Sequence, residues 1–192
     1  QYIYGYTSSI YAIAYEVEKQ GLILPKIDKI LTNGEPLYKY QRDKISDIFQ
    51  TQCIETYGMA ETVAAASECE YGKMHAWPET GYWEILDSQD KDVNNDNQGR
   101  LISTGLLNLA MPLIRYDTGD IITMSNDKSC KCGRTMPVID QIEGRHDDLI
   151  ITPDGRKVGR LDTVFKENIN ILEAQIVQTS KTKIDLNIVA DK

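Results

Sequence analysis

The sequence predicts an α/β chain: a parallel α/β layer, then a β-rich region, then the start of a small α+β domain. Three observations carry this. Helical and strand-like patterns alternate up to about residue 58, short strands separated by turn residues follow, and a strand, turn, helix, strand pattern opens near residue 144. The composition agrees: 192 residues, 41% hydrophobic and 26% charged, suit a globular chain that buries a core, which sets aside disorder and fibrous repeats.

The chain opens on an aromatic, strand-like run, Gln1-Tyr2-Ile3-Tyr4-Gly5-Tyr6, with no Met before it. It closes on Asp185-Leu186-Asn187-Ile188-Val189, which alternates like a strand and has no closing element after it. Both ends predict an excised region. Thr7 to Gln20 reads as an amphipathic helix: Thr7, Ser8 or Ser9 offers an N-cap, Ile10, Ile13, Ala14 and Val17 recur at helical spacing, and Gly21 supplies the stop. Lys29 to Thr32 reads as a strand, Tyr38 to Phe49 as a helix with Ile45, Ile48 and Phe49 on one face, and Gln52 to Glu55 as a second strand. Such an alternation implies a parallel layer, whose ligands sit beyond the carboxyl ends of the strands. Those ends are the Gly-bearing segments Thr32-Asn33-Gly34-Glu35-Pro36 and Thr56-Tyr57-Gly58-Met59-Ala60-Glu61, both read as turns.

Short strands follow at Gly81 to Leu86, Gly99 to Thr104 and Asp120 to Met124. Asp87 to Gln98, rich in Asp, Asn and Gln with Val93 its single apolar residue, reads as a solvated loop. Beyond Gly144 the pattern gives a strand at Leu149 to Ile151, a turn at Pro153-Asp154-Gly155, a helix near Leu161 to Glu167, and strands near Glu173 to Val177 and Ile184 to Val189. No internal repeat, coiled-coil heptad or low-complexity tract competes with this division.

Lys and Arg total 21 against 29 Asp and Glu, a net charge of -8, so the field opposes phosphate backbones and anionic lipid, and no nucleic-acid or membrane partner is expected. No apolar run reaches the roughly 18 residues of a membrane span, and no charged-then-apolar leader opens the chain, so a cytoplasmic protein is expected.

Of four cysteines, three lie near glycines in turn-like segments. Cys69 and His75 flank a turn at Gly72, and Cys130-Lys131-Cys132-Gly133 forms a tight knuckle. Together they make a Cys3His set suited to tetrahedral zinc with no open position, and therefore to a structural role pinning the knuckle to the Cys69 hairpin. Neither half has the commonest zinc spacing and more than 50 residues separate them, so four unrelated residues, with the close thiols oxidised or idle, is the competing reading. Cys53, within an apolar strand, reads as a small buried hydrophobe rather than a fifth ligand.

Three segments could carry chemistry. Tyr57-Gly58-Met59-Ala60-Glu61 combines an aromatic face, a glycine that admits close backbone approach, and a carboxylate able to hold Mg2+; alone it reads equally as a strand-to-helix turn. Arg115-Tyr116-Asp117-Thr118-Gly119-Asp120 ends in a carboxylate at the mouth of a strand, fit to accept two ribose hydroxyls; alone it reads as a type I turn. Gly144-Arg145-His146-Asp147-Asp148 lies at the change of pattern and alone reads as a solvated linker.

In this order, and with Asn33-Gly34-Glu35-Pro36 ahead of them, these segments resemble the motifs of the adenylate-forming superfamily of acyl-CoA synthetases, peptide-synthetase adenylation domains and luciferases. Tyr57 to Glu61 resembles Tyr-Gly-x-Thr/Ser-Glu, Arg115 to Asp120 resembles Tyr-Arg-Thr-Gly-Asp, Gly144 to Asp148 resembles the Gly-Arg-x-Asp-Asp hinge, and Asn33 to Pro36 resembles Gly-Gly-Glu. Within the superfamily, the cysteine knuckle and the Cys-Glu-x-Gly-x-x-His hairpin resemble the phenylacetate-CoA ligase, coenzyme F390 synthetase and CapK group. The resemblance implies part of an adenylate-forming core, with residues 1–143 in the large AMP-binding domain and 144–192 holding the hinge and the start of the small C-terminal domain.

The resemblance also implies roles. Gly34 and Glu35 would border adenine and ribose, Tyr57 would stack on adenine, with Gly58 and Ala60 beside the nucleotide, and Glu61 would hold Mg2+ near the α-phosphate. Asp120 would take the ribose hydroxyls, Arg145 would reach ribose or phosphate, and Asp147 would be the pivot of the small domain; Glu61, Arg145 and Asp147 form the implied catalytic set. The implied reaction joins a carboxylic acid to ATP, giving acyl-AMP and pyrophosphate, and then to a thiol, with coenzyme A as the usual acceptor and a homodimer as the assembly considered. Ala60 stands where the motif has a hydroxyl residue, removing one phosphate contact. The Ser/Thr/Gly-rich phosphate loop and the C-terminal lysine of the superfamily are absent, so the sequence as it stands is expected not to turn over. Thr7-Ser8-Ser9 reads as a helix cap rather than as a substitute phosphate loop. A CapK-like capsular role with a non-CoA acceptor, and a non-catalytic nucleotide-binding or zinc-stabilised scaffold, are the alternatives.

Overall fold

Tyr2–Tyr6 forms strand β1 and runs directly into helix α1, Thr7–Gln20. The computed structural model describes residues 1–94, 96–127, 129–145, 150–153, 157–158 and 171–190. Ile10, Ala14 and Val17 give α1 its buried stripe, while Ile13, grouped with them by spacing, is 51% exposed. Gly21 ends the helix at φ 62, with its N–H on Glu18 O at 3.1 Å and that of Leu22 on Val17 O at 3.0 Å, the paired bonds of a left-handed cap.

Strand β2 is Lys29–Asn33, helix α2 is Lys39–Phe49 and strand β3 is Cys53–Gly58. Gln41 closes the start of α2 by accepting the Tyr38 N–H at 3.2 Å. The three strands pair in parallel, with Ile3 opposite Ile30 and Ile30 opposite Cys53. Under them Ile10, Ala14, Ile30, Leu37, Ile45, Phe49 and Cys53 form one core, with Ile48 packed against it. The predicted parallel layer is therefore present, with β3 longer than expected: Tyr57 and Gly58 are strand, not turn.

The β-rich part comprises β4 (Ala65–Glu68), β5 (Met74–Ala76), β6 (Gly81–Leu86), β7 (Gln98–Gly105), β8 (Tyr116–Met124) and β9 (Val138–Arg145). All join β1–β3 in one sheet of order β1-β2-β3-β4-β5-β9-β8-β7-β6. Strand β8 starts at Tyr116, so Asp120 lies inside the strand rather than at its mouth. It still leaves the pleat, because β8 bulges there: Arg100 faces Ile121 and Ile102 faces Asp117, so Leu101 opposes three residues, Thr118-Gly119-Asp120. Gly119 takes φ 76 in the bulge, and the Thr118 hydroxyl donates to Leu101 O at 3.0 Å while accepting the Asp120 N–H at 3.1 Å.

The polar stretch after β6 is an ordered turn in its first half: the Asp87 carboxylate accepts the N–H of Gln89 at 2.7 Å and of Lys91 at 3.1 Å, and Val93 N–H returns to Ile85 O at 2.9 Å. Ile150–Ile151 (β10) pairs with Lys157–Val158 (β11), and Ile171–Ser180 (β12) forms a hairpin with Lys183–Ala190 (β13). The expected helix near 161–167, Leu149, and Asp154 and Gly155 of the expected turn lie outside the described residues.

In a flat sheet the four steps from β3 to β8 would cover about 19 Å at the usual strand spacing. The Tyr57 hydroxyl nevertheless lies 2.6 Å from Asp120, so the sheet curls. Its inside is filled by Val63, Ala64, Leu101 and Ile122, with Tyr57, Trp83 and Ile142 packed on them. Gly81, at the start of β6, permits the closest approach: a Cβ there would lie 1.9 Å from Val63 O, the same oxygen to which the Ser103 hydroxyl of the neighbouring β7 donates at 2.6 Å. Gly81→Ala is therefore expected to cost about 3 kcal/mol of stability, read as a lower urea midpoint at unchanged m-value.

Candidate active site

A cleft of about 1800 Å³ opens where the carboxyl ends of β2 and β3 meet β8, with Ala174 to Gln178 of β12 on another wall. Gly34, Glu35, Tyr57, Gly58, Ala60, Glu61 and Asp120 all line it, so segments separate in sequence share one surface. Gly34 holds φ 75 and a Cβ there would meet the Tyr6 ring at 2.8 Å, so the glycine lets Tyr6 lie against the turn. Asn33 fixes the end of β2 to β3, donating to Thr56 Oγ1 at 2.9 Å.

Glu35 borders the cleft, but its carboxylate is engaged by α1: it accepts the Ser8 N–H at 2.7 Å and the Ser8 hydroxyl at 3.0 Å, and its backbone oxygen accepts from Thr7 Oγ1 at 3.2 Å. The N-cap expected from Thr7, Ser8 or Ser9 is thus corrected. Tyr6 occupies that position without a side-chain cap, and a carboxylate distant in sequence satisfies the helix end and its dipole.

Two phenols face two carboxylates across the cleft. Tyr57 donates to Asp120 Oδ2 at 2.6 Å, and Tyr116 donates to Glu61 Oε1 at 3.2 Å. The Tyr57 ring meets Trp83 edge-on at 6.2 Å between centroids. The backbone of Arg145 pairs with Asp120, bringing the two together at chain level. The Arg145 side chain and Asp147 lie outside what the structure describes, as do His146 and Asp148.

Behind the cleft, Arg42 of α2 grips Glu68 of β4 through two hydrogen bonds of 2.8 and 2.7 Å, donates to Cys53 O at 2.8 Å and lies 3.9 Å from Glu55. Glu68 also accepts the Glu55 N–H at 2.8 Å. Burial alone would lower the Arg42 pKa; Glu68 and then Glu55 outweigh it and hold the pKa above its ordinary value.

The four expected metal ligands converge: Cys69 Sγ, one His75 ring nitrogen, Cys130 Sγ and Cys132 Sγ all lie within 4.8 Å of one another. The Cys69 and Cys130 sulfurs are 3.7 Å apart, and Cys132 Sγ is 3.4 Å from His75 Nε2. Tetrahedral zinc with bonds of about 2.3 Å to sulfur would space two sulfurs by about 3.8 Å, so the set fits that ion. His75 is buried and its Nδ1 lies 3.1 Å from Met136 O, which turns Nε2 toward the thiols. Desolvation pushes the Cys132 thiol up, but hydrogen bonds from Arg134, Cys130 and Cys69 outweigh it and bring it down to about 6. Cys53, 1% exposed, is pushed up to about 11 by burial and stands apart from the cluster.

The fold places this arrangement among known proteins. Over its whole length the chain matches the crystal structure of 2-hydroxyisobutyryl-CoA ligase in the postadenylation state, at a TM-score of 0.77 and 24% identity, covering 43% of that chain. It also matches the anthranilate CoA ligase in complex with anthranoyl-AMP, at a TM-score of 0.66 and 14% identity over 99% of this chain and 39% of that one. This is the adenylate-forming fold. Among curated proteins the chain is 31% identical over 165 residues to the phenylacetate-coenzyme A ligase of Pseudomonas putida, covering 82% of this chain and 36% of that protein. It is 29% identical over 146 residues to the phenylacetate-coenzyme A ligase of Thermus thermophilus, covering 72% of this chain and 33% of that protein. It is 27% identical over 193 residues to protein CapK of Staphylococcus aureus, covering 96% of this chain and 41% of that protein. The chain thus spans about a third to two-fifths of the curated relatives it matches. No family model matches the chain. Among the described residues no helix is long and apolar enough to cross a membrane.

Within the adenylate-forming fold the cleft includes residues not singled out from the sequence as site residues: Tyr6, Trp77, Tyr116 and Thr118 line it as well. Tyr116 and Thr118 lie inside a quoted motif, so position in the motif was the available signal. Tyr6, at the end of β1, and Trp77, the residue after β5, enter through the pairing of segments distant in sequence. In metal-free chain a thiol reagent is expected to modify Cys132 quickly at pH 8, more slowly as the pH falls through about 6, and to reach Cys53 only on unfolding. Mass mapping of the labelled thiols against pH checks both.

Proposed function

We propose that this chain supplies part of the nucleotide site of an adenylate-forming ligase that activates a carboxylic acid with ATP and passes the acyl group to coenzyme A. The observation that supports this best is the gathering of Gly34, Tyr57, Glu61 and Asp120 in one cleft. Residues 1–143 would belong to the large domain, and 144–192 to the hinge and the start of a small domain with Asp147 as pivot.

In this reading the Tyr57 ring stacks on adenine and the Asp120 carboxylate accepts the ribose hydroxyls. Glu61 would hold Mg2+, which supplies charge neutralisation at the α-phosphate when bound. The substrate carboxylate attacks the α-phosphorus and pyrophosphate leaves; the thiol then attacks the acyl carbon, and AMP leaves with its phosphate. Cys69, His75, Cys130 and Cys132 would hold a structural Zn2+ joining the knuckle to the hairpin that follows β4, with no part in the reaction.

A second reading, a CapK-like activation with a non-CoA acceptor, is favoured by the match that covers 96% of this chain. Both readings require the first half-reaction, and the scaffold alternative requires its absence. In the full protein, ATP-pyrophosphate exchange over a panel of carboxylic acids is expected for either ligase, and thioester formation with coenzyme A separates the two. Exchange silent with every acid would favour the scaffold.

Calorimetric titration with AMP and Mg2+ is expected to show binding that Asp120→Ala weakens at least tenfold, the loss of hydrogen bonds to a charged acceptor. Purified protein is expected to carry about one zinc per chain, consistent with a single four-ligand set. Elemental analysis and a melting curve of Cys132→Ser should show lower metal content and a lower Tm together.

A further inference from the structure

We propose that Tyr57 and Tyr116 are positioning residues whose phenol groups hold Asp120 and Glu61 in the orientations that nucleotide and Mg2+ meet. This rests on the adenylate-site reading and adds a role for two hydroxyls, distinct from stacking by the Tyr57 ring. The pairs are crossed: β3 carries Tyr57 and is followed by Glu61, while β8 carries Tyr116 and Asp120, and each phenol reaches the carboxylate of the other segment. Tyr57 reaches Asp120 at 2.6 Å across 63 residues of chain, and Tyr116 reaches Glu61 at 3.2 Å across 55. All four residues line the same cleft.

The chemistry favours holding over blocking. An ionised carboxylate offers about four acceptor sites on two oxygens, and a phenol takes one. Asp120 Oδ2 is the oxygen bonded to Tyr57, which leaves Oδ1 for a diol. At 2.6 Å this is the short, charge-assisted class of hydrogen bond, strong enough to select one orientation of the carboxylate before a ligand arrives. The Tyr57 ring is itself set by Trp83, and Asp120 by the β8 bulge, so both partners come from fixed backbone. Glu61, with one more side-chain torsion than an aspartate, has more orientational freedom to lose, which is where a tethering phenol has most effect.

The test uses Tyr57→Phe and Tyr116→Phe, each retaining its ring. In nucleotide-free crystal structures the Asp120 carboxylate is expected to turn from its wild-type orientation in the first variant only, and Glu61 in the second only. A carboxylate unmoved in its own variant overturns the proposal for that pair. In solution, Tyr57→Phe is expected to weaken AMP on the order of tenfold while changing affinity for 2′,3′-dideoxy-AMP less than twofold, because the lost hydrogen bond acts through the ribose carboxylate. Equal losses for the two ligands, or tighter AMP binding, would overturn it, the latter because the phenol would then be a competitor. Tyr116→Phe should raise the Mg2+ concentration for half-maximal enhancement of AMP binding and leave metal-free AMP affinity unchanged; an unshifted Mg2+ dependence overturns that half. Wild-type chain that binds no AMP would remove the nucleotide reading, and the crystal structures would then decide the positioning claim alone.

Discussion

Strand β3 is the constraint on which the rest of the molecule depends. It pairs in parallel with β2 along one edge and antiparallel with β4 along the other, so it belongs at once to the helix-covered layer and to the curled sheet. Its residues divide the work by position. Cys53 enters the helical core, Glu55 receives Arg42, Thr56 ties down Asn33, and Tyr57 crosses to β8. By strand alternation Cys53, Glu55 and Tyr57 fall on one face and Thr56 on the other, and a register slip of one residue would exchange the faces and dissolve all of these contacts.

The cleft and the thiol cluster share a framework. Ala66 of β4 lies in the core beside the cleft, Glu68 at its end holds Arg42, and Cys69 follows at once. On the other side, His75 pairs with Ser67 in the sheet and Trp77 lines both the cleft and the cavity beside the thiols. The half-buried ion pair of Arg42 and Glu68 holds α2 against β4 through two hydrogen bonds, and removing one partner would leave the other charge without them. The segment between the two sites therefore has little slack.

The parts of this arrangement legible in the sequence are those that depend on local pattern. The stripe Ile10, Ala14, Val17 with Gly21 marks α1, and the Gly-bearing ends of β2 and β3 mark where cleft-lining residues lie. What was hidden depends on partners distant in the chain. Ala65 to Glu68 and Met74 to Ala76 have weak strand propensity and become strands because they fill the gap between β3 and β9. Glu35 gives no local sign that it closes the start of α1 from 27 residues away. Asp120 is identifiable as a pocket carboxylate, but its place in the strand depends on the three-residue bulge against β7, which no propensity announces. Likewise, the metal-ligand types were readable, while their meeting depends on the pairing of His75 with Val138.

The curl of the sheet also bears on the order of assembly. Tyr57 to Asp120 spans 63 residues, Cys69 to Cys130 spans 61, and His75 to Met136 spans 61, so the two sites close loops of nearly the same length. Loops of that size cost closure entropy before any contact compensates for it, whereas α1, α2 and their three parallel strands form from neighbours nearer in sequence. A chain emerging from the ribosome would hold its helical layer well before residue 138 is available to pair with β5. The cleft thus matures late, and a chain that stalls before that point would present a folded first layer with no pocket on it.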